Sequence, residues 1–234
     1  MTEQSKTDNT RTIIQNTLSK LDVDAVGVAS LSDWKGTRLE ETAMRLLPEA
    51  HTIVVLAIEI SSEALDLSTH SRTLGAPSMN DLLNAETDYI NSRLNRAAFN
   101  FARTCRNLGL KALVLPASGC PTDNRFMEAV FSYKHAGQAA GLGQIGWHSL
   151  LITPDFGPRV RLAVCFTEAE LESTKSEFTL RCENCSICLD KCPATALVVP
   201  ETDEDYIINK FACNAYQAAS GGCSECMRVC PEGR

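Results

Sequence analysis

Cys182-Glu183-Asn184-Cys185-Ser186-Ile187-Cys188-Leu189-Asp190-Lys191-Cys192-Pro193 carries four cysteines in the pattern C-x2-C-x2-C-x3-C-P. A second run follows: Cys213, then Cys223-x2-Cys226-x3-Cys230-Pro231, the same pattern with its first interval stretched. Two-residue gaps let successive thiolates curl round one corner of a [4Fe-4S] cubane, and the Cys-Pro step sends the fourth cysteine to the other cluster. Cross-ligation of that kind gives cluster one Cys182, Cys185, Cys188 and Cys230, and gives cluster two Cys192, Cys213, Cys223 and Cys226. All eight thiols are used. Structural zinc also uses C-x2-C, but seldom three cysteines at two-residue intervals closed by Cys-Pro. A disulfide framework belongs to small secreted domains. The polar opening MTEQSKTDNT has no apolar signal core, so the expectation is a cytoplasmic protein whose thiols stay reduced.

Working outward, the 234 residues suffice for one full domain, placed at 1–175, and a cysteine module at 176–234. Apolar residues make up 44% of the chain and charged ones 22%, enough for an ordinary core. The net charge of -7 argues against a nucleic-acid partner. No apolar run reaches membrane-spanning length, so no membrane partner is expected.

The N-terminal part alternates helical and strand patterns. Residues 11–20 place Ile13, Ile14 and Leu18 on one helical face, and VDAVGVASL reads as a strand. Ser32-Asp33 is a candidate N-cap for a helix that Pro48 ends. HTIVVLAIEI (51–60) is apolar throughout, as in a strand buried on both faces. The serine-rich stretch 61–78 reads as a long loop of the kind that covers binding sites. From Met79 to Leu108 the apolar spacing is strongly helical, and KALVLPAS (111–118) is a strand. FMEAVFSYKHAGQAAG reads as another helix, SLLITPDFGPRVRLAVCFTEAEL as two strands, and ESTKSE as a polar linker. The fold class is therefore α/β, with parallel and mixed sheets both admissible.

Gly141-Leu142-Gly143-Gln144-Ile145-Gly146 satisfies G-x-G-x-x-G, but the dinucleotide fingerprint needs a strand before it and a helix after it. Here the order is reversed. The glycines instead suggest a helix-to-strand corner where main chain comes close to something flat or phosphorylated.

The run Gln138-Ala139-Ala140-Gly141-Leu142-Gly143-Gln144-Ile145-Gly146-Trp147-His148, the Asp155-Phe156-Gly157-Pro158 turn and the two cysteine runs in that order resemble the epoxyqueuosine reductase and reductive dehalogenase superfamily. The resemblance implies a nitroreductase-like α/β domain holding base-off cobalamin beside a two-cluster ferredoxin-like module. It implies that Gly141, Leu142, Gly143 and Gly146 lie against the corrinoid, with His135 nearby. It also implies that electrons pass through cluster two and cluster one to cobalt, from a donor such as ferredoxin or flavodoxin. Asp88 and Tyr89 match a D-Y pair near the upper face of the corrinoid, where a tyrosine can donate a proton; the competing reading of Tyr89 is a core residue.

Three features depart from that family. Pro116-Ala117-Ser118-Gly119, aligned to its proton-donor segment, contains no aspartate. The chain stops at Arg234, short of a helical-repeat extension, and lacks the twin-arginine start of respiratory dehalogenases. Trp147 replaces a basic residue.

The expected function is a cobalamin-dependent iron-sulfur reductase acting on a small molecule. Two alternatives stand beside it: a corrinoid-binding or corrinoid-reactivating protein whose partner is another corrinoid protein, and a flavin enzyme fused to a ferredoxin unit. A homodimer would suit a nitroreductase-like domain. Among the remaining candidates, Lys134 and His135 read either as contacts to substrate or corrinoid side chains or as a solvated helix end, His148 as a strand-edge hydrogen-bonding residue, His51 and His70 as surface residues, and Cys105 and Cys165 as small hydrophobes. Cys120 is the spare thiol to test, and Glu168–Glu172 reads as a solvated loop.

Overall fold

The computed structural model describes residues 3–68, 79–180, 182–200 and 206–232. Helix α1 (Glu3–Leu18) leads into β1 (Ala25–Ser30), and α2 (Arg38–Leu46) into β2 (Thr52–Glu59). Short α3 (Ser62–Leu67) precedes the long α4 (Asn80–Asn107), which returns the chain to β3 (Ala112–Leu115). A two-residue-strand hairpin, β4 (Thr122–Asp123) and β5 (Glu128–Ala129), comes before α5 (Tyr133–Ala139). A second small pair, β6 (Gln144–Ile145) and β7 (Leu151–Ile152), precedes the long β8 (Val160–Thr167).

Strand order in the main sheet is β1-β2-β8-β3, and every neighbouring pair is antiparallel. The sequence left parallel and mixed sheets open; neither forms. The continuous apolar run of β2 has another cause, which is that helices cover both faces of the sheet. Val54, Leu56 and Ile58 turn toward α1, α3 and α4, where Ile14, Leu65, Leu94 and Phe101 close the layer. Ile53, Val55 and Ala57 turn toward α2 and α5, packing with Ala43, Ala136 and Ala140. In β8 the same alternation sends Ala163 and Cys165 one way and Val164 and Phe166 the other. Phe131 meets Phe166 edge to face at 4.9 Å.

Local readings shift at several points. The cap of α2 is Thr37, whose hydroxyl accepts from the Glu40 N–H at 3.4 Å, in place of Ser32-Asp33, which form a short 3-10 turn. Residues 62–67 of the expected loop are helical because Ser61 accepts from the Ala64 N–H at 3.3 Å and Ala64 and Leu65 are buried. The rest of that loop, with His70, lies outside the described residues. The helix expected from Phe126 starts only at Tyr133, since Glu128 and Ala129 pair back on β4 and Met127 takes a φ of 50°. Glu168–Glu172 is not a free loop: Ala169 and Leu171 are buried and Thr52 Oγ1 donates to Ala169 O at 2.6 Å.

The expected linker is strapped to β1. Thr174 N–H donates to Val28 O at 2.8 Å, Thr174 Oγ1 accepts from Val28 N–H at 3.1 Å, and Ser173 Oγ accepts from Ser30 N–H at 2.9 Å. Beyond it come α6 (Ile187–Asp190), the hairpin β9 (Leu197–Val198) and β10 (Ile207–Ile208), α7 (Lys210–Ser220) and α8 (Glu225–Val229). Asn209 caps α7 by accepting from Ala212 N–H at 3.0 Å, and Gly221 at φ 71° ends it. Helix α8 packs on α6 and α3, and Met227 reaches the main core.

Candidate metal and cofactor site

The cysteines separate into two sets. Cys182, Cys185, Cys188 and Cys230 together line one small cavity of about 30 Å³, closed by His148, Leu180, Pro231 and Glu232. Cys213 feels Cys223 and Cys192, Cys223 feels Cys192, and Cys226 feels these three and also Cys188 of the first set. Burial first, then the charge of neighbouring sulfurs, pushes the Cys188 and Cys230 thiols up to about 11 and Cys226 up to about 12. Thiols in such surroundings ionise when cationic iron replaces the proton, so both sets suit iron-bound thiolates. Among the described residues no group of three or more Cys, His, Asp or Glu side chains could hold a single metal ion.

The glycine corner forms the joint between the sheet domain and the first set. A Cβ on Gly143 would stand 1.9 Å from Ile152 O, and one on Gly141, at φ 72°, would stand 2.5 Å from Thr174 O in the strap. Leu142 is buried against the sheet. The close approach read from the sequence is thus to the chain's own backbone, and none of Gly141, Leu142, Gly143 or Gly146 lines a described cavity. Gln138 Oε1 accepts from Ile145 N–H at 2.8 Å, and Gln144 Oε1 accepts from Leu180 N–H at 2.8 Å, tying the corner to the segment entering the module. The Trp147 N–H faces Cys182 and partly offsets the burial that raises that thiol.

On the other side of this joint lie two adjoining cavities. The first, about 620 Å³, is lined by Ala117, Cys120, Tyr133, Lys134, Ser149, Arg161 and Met227 among others. The second, about 590 Å³, shares Phe131, Ser132 and Lys134 with it and extends to Arg38, His135, Tyr206 and Lys210. His148 lines the cysteine cavity, and its chain neighbour Ser149 lines the large one. Met227, beside Cys226, brings the second set to the same cleft.

Polar groups in the cleft are fixed. Lys134 Nζ donates to Ser149 O at 2.8 Å and stands 3.8 Å over the Tyr206 ring. Arg161 donates to Asn91 Oδ1 and Ala117 O, each at 3.1 Å; burial lowers its pKa and Asp88 opposes that. Tyr133 OH donates to Pro116 O at 2.7 Å, and burial followed by the Cys120 thiol keeps it protonated far above neutrality.

Of the remaining candidates, His135 lines the second cavity and accepts or donates at 2.5 Å with Ser132 Oγ. Asp88 and Tyr89 are exposed on α4, Tyr89 at 66%, so it is neither the core residue nor a lining residue of the described cavities. Residues 69–78, which precede α4, are outside the described residues. Cys105 and Cys165 are buried, as small hydrophobes should be. Arg161, Ser149 and Met227 were not singled out, because each sits in a segment read only for strand or cysteine pattern. Of the two readings of Lys134, the solvated helix end does not hold, since the fold turns that end into the cleft.

No family model matches the chain. The tetrachloroethene reductive dehalogenase of Desulfitobacterium hafniense is 36% identical over 111 residues, covering 39% of this chain and 20% of that protein. The epoxyqueuosine reductase of Prochlorococcus marinus (strain NATL2A) is 27% identical over 121 residues, 44% of this chain and 37% of that protein. Among solved structures, the catabolic reductive dehalogenase NpRdhA superposes with a TM-score of 0.69 at 21% identity, covering 94% of this chain and 31% of that one. The epoxyqueuosine reductase of Bacillus subtilis gives 0.63 at 18% identity, covering 97% of this chain and 66% of that one. The matched segments span well under two thirds of these curated relatives.

Proposed function

We propose, on the premise that the chain belongs to the superfamily of reductive dehalogenases and epoxyqueuosine reductases, that it is a corrinoid-dependent iron-sulfur reductase acting on a small electrophilic molecule. One structure of a relative is described as suggesting a mechanism for B12-dependent dehalogenation. The observation that carries the reading is a cavity lined by four cysteines and by His148, whose chain neighbour Ser149 lines the larger cleft that Met227, next to Cys226, also lines. When bound, the clusters supply single electrons and the corrinoid supplies a cobalt centre that passes them to substrate.

The chain's own residues then divide the work. Cys182, Cys185, Cys188 and Cys230 would hold cluster one, and Cys192, Cys213, Cys223 and Cys226 cluster two. The glycine corner, with Gly141, Leu142, Gly143 and Gly146, sets how closely that joint stands to the cleft. Arg38 and Lys210 line the second cavity, where they suit the phosphate of a nucleotide tail, with His135 beside them. Lys134 and Arg161 give the first cavity a positive field for a leaving anion, and Tyr133 holds a proton there. Asp88 acts through Arg161, and Tyr89 would enter the chemistry only if the segment before α4 brings the substrate to it.

A second reading, a corrinoid-binding or corrinoid-reactivating protein with no substrate of its own, draws on one feature: among the described residues no carboxylate lines the first cavity. Anaerobic reconstitution followed by a visible spectrum tests the proposal. The expected result is about eight irons per chain, as two four-iron clusters, together with corrinoid bands. Flavin bands, or zinc in place of iron, would overturn it. Cys188→Ser or Cys226→Ser should remove about half of the iron. Turnover of halogenated organics or epoxyqueuosine by the corrinoid-loaded chain, with a ferredoxin or flavodoxin as donor, separates reductase from carrier.

A further inference from the structure

His148 is 3% exposed, and its Nε2 is buried with no hydrogen-bond partner among the described residues. Its other ring nitrogen is engaged: Nδ1 accepts from Leu150 N–H at 3.2 Å. An Nδ1 that accepts carries a lone pair, so the proton of the neutral ring sits on Nε2. A buried N–H donor without an acceptor is a rare and costly state, and this one stands at the wall of the cavity lined by Cys182, Cys185, Cys188 and Cys230.

The ring is held there from several directions. A Cβ on Gly146 would lie 3.1 Å from His148 Cε1 and 3.4 Å from Nδ1, so the glycine makes room for the imidazole. Ser149, at φ 66°, closes the turn with its N–H on Gly146 O at 2.8 Å, and Gly146 N–H returns to Leu150 O at 3.0 Å. Backbone strain at a non-glycine residue has been accepted to keep the side chain in place. In the second set the corresponding donors have sulfur partners already: Ala196 N–H lies 3.3 Å from Cys192 Sγ, and Gln217 Nε2 lies 3.9 Å from Cys213 Sγ.

We propose that His148 donates its Nε2–H to a sulfur of the first cluster or of its thiolates, and so holds the reduction potential of that cluster above the value its cysteines alone would set. Reduction adds negative charge to the cluster, and a hydrogen bond to sulfur stabilises the more negative state. His148 is then a positioning and tuning residue, not a ligand. The inference rests on the two-cluster reading above.

The test is an EPR-monitored redox titration of the anaerobically reconstituted full chain and of His148→Leu and His148→Gln. In His148→Leu the ratio of reduced to oxidised first cluster at a fixed potential should fall about tenfold, equivalent to about 59 mV for one electron, with the second cluster unmoved. His148→Gln, which keeps an N–H donor, should recover most of that loss. Electron-nuclear double resonance on wild-type protein labelled with 15N-histidine should show a weak nitrogen coupling and an exchangeable proton on the reduced cluster. This second measurement decides the matter should His148→Leu fail to take up iron. Normal four-iron clusters with unchanged potentials and no histidine coupling overturn this inference alone, and a strong coupling overturns it in favour of direct ligation. A chain that takes up no four-iron cluster at all overturns the reading beneath it.

Discussion

In β2 the seven residues Thr52–Ile58 are all buried, whereas in the cysteine module, from residue 182 onward, only Cys188, Ala196, Leu197 and Cys230 are buried among those described. Neither α7 nor α8 buries a residue fully, and Phe211 is 60% exposed. The sheet domain therefore draws its stability from two apolar layers. The module is a set of short helices and a two-residue hairpin, too small to exclude water with its own side chains. What should organise it is inorganic: thiolates converging on iron, with binding energy that becomes folding energy.

Removing the iron tests that contrast hardest. Anaerobic chelation should leave amide exchange in β2 and β8 slow while residues 182–230 become rapidly exchanging and open to protease; a module equally protected without iron would abolish the distinction. Next in size, Phe101→Ala and Phe166→Ala, each on one face of the sheet, should cost about 3–5 kcal/mol in denaturant titrations. Phe211→Ala should change the same transition by less than about 0.5 kcal/mol. The smallest effect belongs to surface charge at the rim of the cleft. Arg125 holds the Asp123 carboxyl below its ordinary 3.8, first through its side-chain hydrogen bonds at 2.7 and 3.1 Å. A depressed carboxylate contributes stability that is complete above the unfolded value and is lost as pH falls through the folded one. An NMR titration should place the Asp123 midpoint below 3.8, and Arg125→Ala, which keeps the backbone N–H bond to Oδ1 at 3.0 Å, should move it part of the way back.

Legibility follows the same divide. The closeness of Cys182, Cys185 and Cys188 was readable because short spacing is a local property, fixed by the reach of a few residues, whereas Cys230 joins their cavity only through the fold. Buried strands and the long helix were readable because their apolar periods run for eight residues or more. Strand direction was not, since β2 and β8 carry the same continuous apolar signal whether their neighbours run with them or against them. The helix start at Tyr133 was hidden because the hairpin before it depends on pairing between Thr122 and Ala129. The glycine corner was half readable. Its sequence announces a close backbone approach, but the partners, Ile152 O and Thr174 O, are supplied by later chain segments. His148 shows the same limit, since its unpartnered nitrogen exists only once the corner has brought residues 146–150 against the cysteines.

The strap along β1 has a kinetic meaning. Because Ser173 and Thr174 are stitched to Val28 and Ser30, the segment leading to the cysteines is seated on β1 by folding itself, with no docking search afterwards. The spacing between sulfur and cleft is then a property of the fold.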